Sequence, residues 1–149
     1  MIALREVNED NFDKCVSLEV DDSQKNFVAA NMKSIAQAWI HYKNARPFAI
    51  YNDDEMIGFM MFYVEDGRSG KEKECFLWRL MVDKNHQGKG YGKTALKMAI
   101  EGFKKTIKIT EVKTSLVPGN DGAGGLYKSL GFVPTGEIDD GEIVMVLKL

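Results

Sequence analysis

Cysteine, proline, histidine and tryptophan are all scarce in this chain: two, three, two and two residues among 149. The two cysteines, Cys15 and Cys75, cannot staple a disulfide scaffold and have no metal-ligand spacing. Both lie in apolar patterns and read as buried small hydrophobes. His41 and His86 are lone histidines with no evident partner, and both read as solvated; no metal site is expected. No apolar run approaches the roughly 18 residues that a membrane span needs. Nor does a basic-then-apolar leader open the chain, so a cytoplasmic location is the expectation. Positive charge is not in excess either. The formal net charge is −2, which argues against bulk attraction to nucleic acid. Internal repeats and low-complexity linkers are missing as well.

What remains is an ordinary globular composition, 44% apolar and 28% charged, in a length that suits one domain spanning 1–149. Residues 2–7 read as a strand, followed by a helix capped by Asp10 or Asn11 and carrying Phe12, Cys15, Val16 and Leu18. A second helix is expected from about Asn31, with Ile35, Ala38, Trp39 and Tyr42 along its stripe. Pro47 marks the boundary to a strand. "PFAIYNDDEMIGFMMFYVED" reads as a hairpin turning at Asn52, Asp53 and Asp54. "ECFLWRLMVD" is apolar on both faces, as a central strand is. The segment "KTALKMAIEGFKKTI" has a helical stripe, "EVKTSLV" is a strand, and "DGAGGLYKSLG" is a helix stopped by Gly131. Two closing strands flank Gly141. The predicted class is a mixed α/β (α+β) sheet with one strand–loop–helix–strand crossover.

That crossover holds "QGKGYGKT", Gln87 to Thr94. Glycines there let backbone N–H groups approach an anion, and three phosphate-binding patterns compete for the segment. A P-loop would end in Gly92-Lys93-Thr94, but its first glycine falls on Gln87. The dinucleotide pattern G-x-G-x-x-G fails because Gly88, Gly90 and Gly92 alternate, leaving Lys93 where the third glycine belongs. The pattern Q-x-x-G-x-G is met by Gln87, Gly90 and Gly92. Two further matches join it: the run "LMVDKNHQGKGYG", and "NDGAGGLYKSLGF", in which Asn120, Ala123, Tyr127, Leu130, Gly131 and Phe132 follow a later signature.

With these motifs the chain resembles the GNAT N-acetyltransferase superfamily over most of its length. The pieces "FVAANMKSIAQAW", "PFAIYNDDEMIGFMMF" and "LWRLMVD" look like its bacterial diamine/polyamine (spermine/spermidine) subgroup. The resemblance implies a GNAT fold: six or seven mostly antiparallel strands, splayed at the centre, flanked by about four helices. It implies acetyl-CoA as co-substrate and a small-molecule amine as acceptor, with a homodimer as the default assembly. Leu80, Met81 and Val82 would hold the pantetheine. Gln87, Gly88, Lys89, Gly90, Tyr91, Gly92 and Lys93, with Asn120, would complete the cofactor site, and Tyr127 would donate a proton to the leaving thiolate. Where some members carry a catalytic glutamate, this chain has Phe76. Glu74, on the same face by strand alternation, is the candidate base beside a water chain. For a polycationic acceptor, carboxylates and aromatic faces are required. Glu19, Asp21 and Asp22, with Trp78, are the expected substrate-binding residues. The second acidic cluster, Glu137 to Glu142, reads as a solvated turn. The same fold could instead acetylate an aminoglycoside, an amino acid or a protein N-terminus, or serve as a non-catalytic acyl-CoA sensor.

Overall fold

The computed structural model describes residues 1–149. Strand β1 (Ile2–Arg5) precedes α1 (Phe12–Ser17), a short 3-10 turn (Asp22–Gln24) and α2 (Asn31–Ile40). Then come β2 (Ala45–Asn52), β3 (Glu55–Glu65), β4 (Glu74–Val82), α3 (Tyr91–Thr106), β5 (Glu111–Leu116), α4 (Asp121–Leu130), β6 (Val133–Asp139) and β7 (Glu142–Lys148). All seven strands join one sheet in the order β1-β2-β3-β4-β5-β7-β6. Every neighbouring pair is antiparallel except β4–β5, the expected crossover.

Strand β3 sits near the middle of the sheet and is buried on both faces. Met60, Phe62 and Val64 pack with Leu96, Ala99 and Phe103 of α3, whereas Phe59 and Met61 pack with Cys15 and Leu18 on the α1–α2 side. Helix α3 presents Ala95, Leu96, Ala99, Ile100 and Phe103 inward at the three- and four-residue spacing read from its sequence. Pro47 lies inside β2, not at its boundary. It is tolerated because β1 stops pairing at Ala49, which leaves that end of β2 a free edge.

Local details depart from the sequence expectation in three further places. β1 ends at Arg5. Asn11 precedes α1, but its side chain makes no capping bond; its Oδ1 instead accepts from the Asn8 backbone N–H at 2.8 Å. In α2, Ile35 and Ala38 pack inward while Trp39 points outward, 77% exposed. Tyr42 falls beyond the helix, which His41 ends, so it leaves the stripe altogether.

Both cysteines are buried, and burial pushes the Cys15 thiol up to about 11 and the Cys75 thiol up to about 12. Below the ordinary thiol value near 8.5, the groups are neutral in both folded and unfolded chains. Above it the unfolded chain ionises while the folded chain stays protonated, so stability falls with rising pH, by up to about 1.4 kcal/mol per pH unit for each thiol. Urea unfolding from pH 8 to 10.5 should show this decline, and a Cys15→Ala/Cys75→Ala variant should show a shallower one. An unchanged slope in that variant would contradict the assignment.

Candidate active site

The parallel strands β4 and β5 touch only briefly. Phe76 registers with Lys113 and Leu77 with Thr114, and beyond these the two strands part. The buried Thr114 hydroxyl donates to the Leu77 carbonyl at 3.0 Å and pins the vertex. From Trp78 to Val82 the edge of β4 that faces β5 therefore has no ladder partner, which exposes backbone donors and acceptors in the opening. This is the central splay that the family resemblance implies. A bulge adds to it. Arg79 pairs with Met61 and Leu77 with Phe62, which leaves Trp78 as the extra residue. Because side chains alternate with period two, the insertion shifts the phase of β4. Leu77 belongs to the α3 core but Met81 to the opposite one.

Two cavities open from this splay. The first, of about 500 Å³, lies over the end of β4 and the glycine loop, bounded by Leu80, Val82, Gln87, Gly90, Lys93 and Tyr127 among others. Gly88 and Gly90 take φ of 77° and 78°, in the left-handed region, and an added Cβ at either would meet nothing within 4 Å. Glycine is required there by backbone conformation and not by space. Gly90 is the N-cap of the sixteen-residue α3, whose first intrahelical bond to it comes from Thr94 N–H at 3.1 Å. The preceding N–H groups of the first turn are left for an anion, with the helix dipole behind them. Gln87 holds the loop in place. Its Nε2 donates to the Val82 carbonyl and to Gln24 Oε1, both at 2.9 Å. Gln24 itself completes a capping box with Asp21. One amide thus ties the strand end, the glycine loop and the α1–α2 connection together.

The second cavity, of about 540 Å³, lies on the β5–β7 side. Phe76, Trp78 and Arg79 come from β4, Thr114 and Ser115 from β5, and Asp139, Asp140 and Glu142 from the β6–β7 hairpin. Lys25 and Lys33 add positive charge to the lining. Leu80, Asn120, Ala123 and Tyr127 bound both cavities, so the two meet at the start of α4.

Helix α4 brings Tyr127 to that junction. Asn120 caps it, accepting from Ala123 N–H at 3.3 Å, and Gly131 ends it at φ 101°. Gly124 is needed for close packing, since a Cβ there would stand 3.3 Å from Leu116 Cδ2 of β5. Tyr127 is 7% exposed, with its ring 5.6 Å from that of Phe132. Burial raises its phenol above the ordinary value; Thr114 pulls it down and the Glu142 carboxylate pushes it up again. The phenol is accordingly a proton donor at neutral pH.

The sequence-predicted residues divide. Leu80, Met81, Val82, Gln87, Gly88, Gly90, Tyr91, Gly92, Lys93, Asn120 and Tyr127 all bound the first cavity, whereas Lys89 is exposed off its wall. Trp78 reaches the second. Glu74 does not bound either cavity: it is exposed at the start of β4, paired across from Glu65. The acidic turn is also elsewhere. Glu19 donates its N–H to Asp83 and forms an ion pair with Lys84 at 3.3 Å, Asp21 caps the 3-10 turn, and Asp22 pairs with Lys25 at 2.8 Å. The histidines are partnered, contrary to expectation. His86 stands 3.3 Å from Glu55, and the His41 ring lies edge-on to Trp78 at 5.5 Å. Sequence reasoning missed Gln24, Arg79 and Thr114, and it took Glu142 for part of a solvated turn. For Gln24 alone there was a local signal, the Asp21-x-x-Gln24 box.

Comparisons with known proteins show the family and the fold. Residues 6–132 match the acetyltransferase (GNAT) family. A probable spermine N(1)-acetyltransferase of Bacillus subtilis subsp. natto is 32% identical over 155 aligned positions, covering 99% of each chain. The spermine/spermidine N(1)-acetyltransferase of Bacillus subtilis strain 168 is 31% identical with the same coverage. Among solved structures, spermidine N-acetyltransferase from Vibrio cholerae, in complex with CoA and spermine, superposes with a TM-score of 0.74. That match covers 99% of this chain and 95% of the other at 16% identity, a likeness of fold.

Proposed function

Since the chain belongs to the GNAT acetyltransferase family, we propose that it moves the acetyl group of acetyl-CoA onto a primary amine of a polyamine such as spermidine or spermine. One observation carries this reading: two cavities, one ending on an open helix N-terminus, meet at a buried tyrosine. In it, the first-turn N–H groups of α3 take the pyrophosphate, and the unpaired edge of β4 from Leu80 to Val82 takes the pantetheine. The amine enters from the second cavity and attacks the thioester carbonyl directly in a ternary complex. Backbone donors of β4 stabilise the oxyanion, and Tyr127 protonates the departing thiolate.

The acceptor assignment draws on the relatives' names and on three carboxylates, Asp139, Asp140 and Glu142, on the wall of the second cavity. Trp78 adds an aromatic face, although Arg79 already stands 5.4 Å from its centroid. The test is thiol release from acetyl-CoA with a panel of spermidine, spermine, a short diamine, an aminoglycoside, an amino acid and an N-terminal peptide. The polyamines should give the highest kcat/KM. Turnover confined to another member of the panel would replace the acceptor, and acetyl-CoA binding without turnover on any amine would make the chain a sensor.

A further inference from the structure

We propose that Glu142, at the start of β7, receives the reacting ammonium of the acceptor and takes its proton. This rests on the acetyl-transfer reading above and supplies the base that reading lacks. Glu142 pairs with Asp139 across the end of the β6–β7 hairpin, whose turn is made by Asp140 and Gly141 in left-handed conformations. The hairpin end lines the second cavity together with residues of β4 and β5. Glu142 is half-buried on the cavity wall, whereas Asp139 and Asp140 on the same wall are exposed. Ser115 Oγ, from β5 beside the splay, donates to Glu142 Oε1 at 3.1 Å and leaves the other carboxylate oxygen available. The charge of Glu142 is felt by both Tyr127 and Arg79, raising the proton affinity of each.

The other charged groups lining this cavity have different dispositions. Lys25 is held by Asp22 at 2.8 Å, and Lys33 is exposed. Arg79 donates to Gln37 Oε1 at 2.9 Å and to the Trp78 carbonyl at 3.0 Å. Those two bonds anchor the cation, although its Nε is buried without a hydrogen-bond partner. An ammonium in this cavity is repelled by the cations and drawn towards Glu142, and their charge makes it a stronger acid. Asp139 and Asp140, further out, are placed to take a second ammonium of the same molecule.

The protons balance as follows. The bound ammonium gives one proton to Glu142, and the neutral nitrogen forms a C–N bond to the thioester carbon. As the C–S bond breaks, the thiolate takes the proton of Tyr127. The nitrogen, now positive, releases its second proton to restore the phenol, and Glu142 returns the first to solvent. The products are the acetamide, CoA thiol and one proton.

The test compares wild type with Glu142→Gln, Glu142→Asp and Glu74→Gln, using spermidine and acetyl-CoA. Glu142→Gln should lower kcat/KM for the amine about 100-fold or more at pH 7 and leave the KM of acetyl-CoA within threefold. Between pH 7 and 9 its kcat/KM should climb about tenfold per pH unit, following the free amine, while the wild-type curve is flatter. Glu142→Asp should recover part of the loss, and Glu74→Gln should match wild type. Parallel pH profiles, or an equal loss in Glu74→Gln, would overturn the assignment. Calorimetric titration of spermidine into the CoA-bound protein separates this inference from the wider reading. Affinity that falls at least tenfold in Glu142→Gln supports Glu142 as the receiver of the ammonium even if no thiol is released, an outcome that would overturn the transfer reading and with it the base role. Equal affinity in both proteins, or binding to neither, counts against it.

Discussion

Replacing Tyr127 by Phe should lower kcat by about two to four orders of magnitude and leave the affinity for CoA within a few-fold. The ring is the part of Tyr127 that the fold uses. It is buried in the α3-side core and packs against Phe132. Phenylalanine preserves those contacts, so the melting temperature should change little. What disappears is a proton donor at the only place where the two cavities share a titratable side chain. A thiolate expelled into a buried cleft without that donor must wait for water. Because the phenol titrates above its ordinary value, wild-type kcat should show no loss of this acid below about pH 10, the usual tyrosine range. Stopped-assay kinetics with spermidine, together with CoA titration, decide the matter. A variant retaining kcat within threefold of wild type would show that another group protonates the sulfur.

The second large effect is structural. Gly58 of β3 registers with Val82 of β4, behind the strand end that faces the donor cavity. A Cβ at this position would lie 2.6 Å from the Met81 carbonyl oxygen and 3.2 Å from Ile50 Cδ1. The first neighbour is backbone and cannot rotate away, so Gly58→Ala must force β3 and β4 apart. We expect a loss of about 3 kcal/mol or more on urea unfolding, at the upper end of the usual overpacking cost. The KM for acetyl-CoA should also rise, because the displaced segment is the one that carries Met81 and Val82. Gly125→Ala provides the contrast. A Cβ there meets nothing within 4 Å, and in the helix interior alanine should gain up to about 1 kcal/mol. Equal stability of Gly58→Ala and wild type would contradict the packing described for β3 and β4.

The contrast between those two glycines shows where the sequence was legible. Features written in a few consecutive residues were readable, because their physics is local. The loop from Gln87 to Lys93, the Asn120 cap, the Gly131 stop and the stripe of α3 all belong to this kind. So did the order of strands and helices, with the β4–α3–β5 crossover. The acceptor wall was not readable. It is assembled from β4, β5 and the β6–β7 hairpin, and nothing near Glu142 in sequence says that Ser115 and Tyr127 will stand beside it. Glu74 misled for a related reason. Alternation along β4 predicts a shared face with Phe76 and Trp78, which do line the second cavity, but Glu74 lies at the exposed end of the strand, off the cavity wall. The acidic turn at Glu19 to Asp22 misled because its carboxylates had local partners, Lys84 and Lys25, whose proximity depends on the fold.

The central claim is that donor and acceptor occupy two cavities at once and react where these meet at Tyr127. Initial rates of thiol release, with acetyl-CoA and spermidine both varied, test it most directly. Intersecting double-reciprocal lines, with N-acetylspermidine as the product by mass, are the predicted result. Parallel lines, which mark an acetylated enzyme formed before the amine binds, would contradict the account. So would the absence of any acetylated amine.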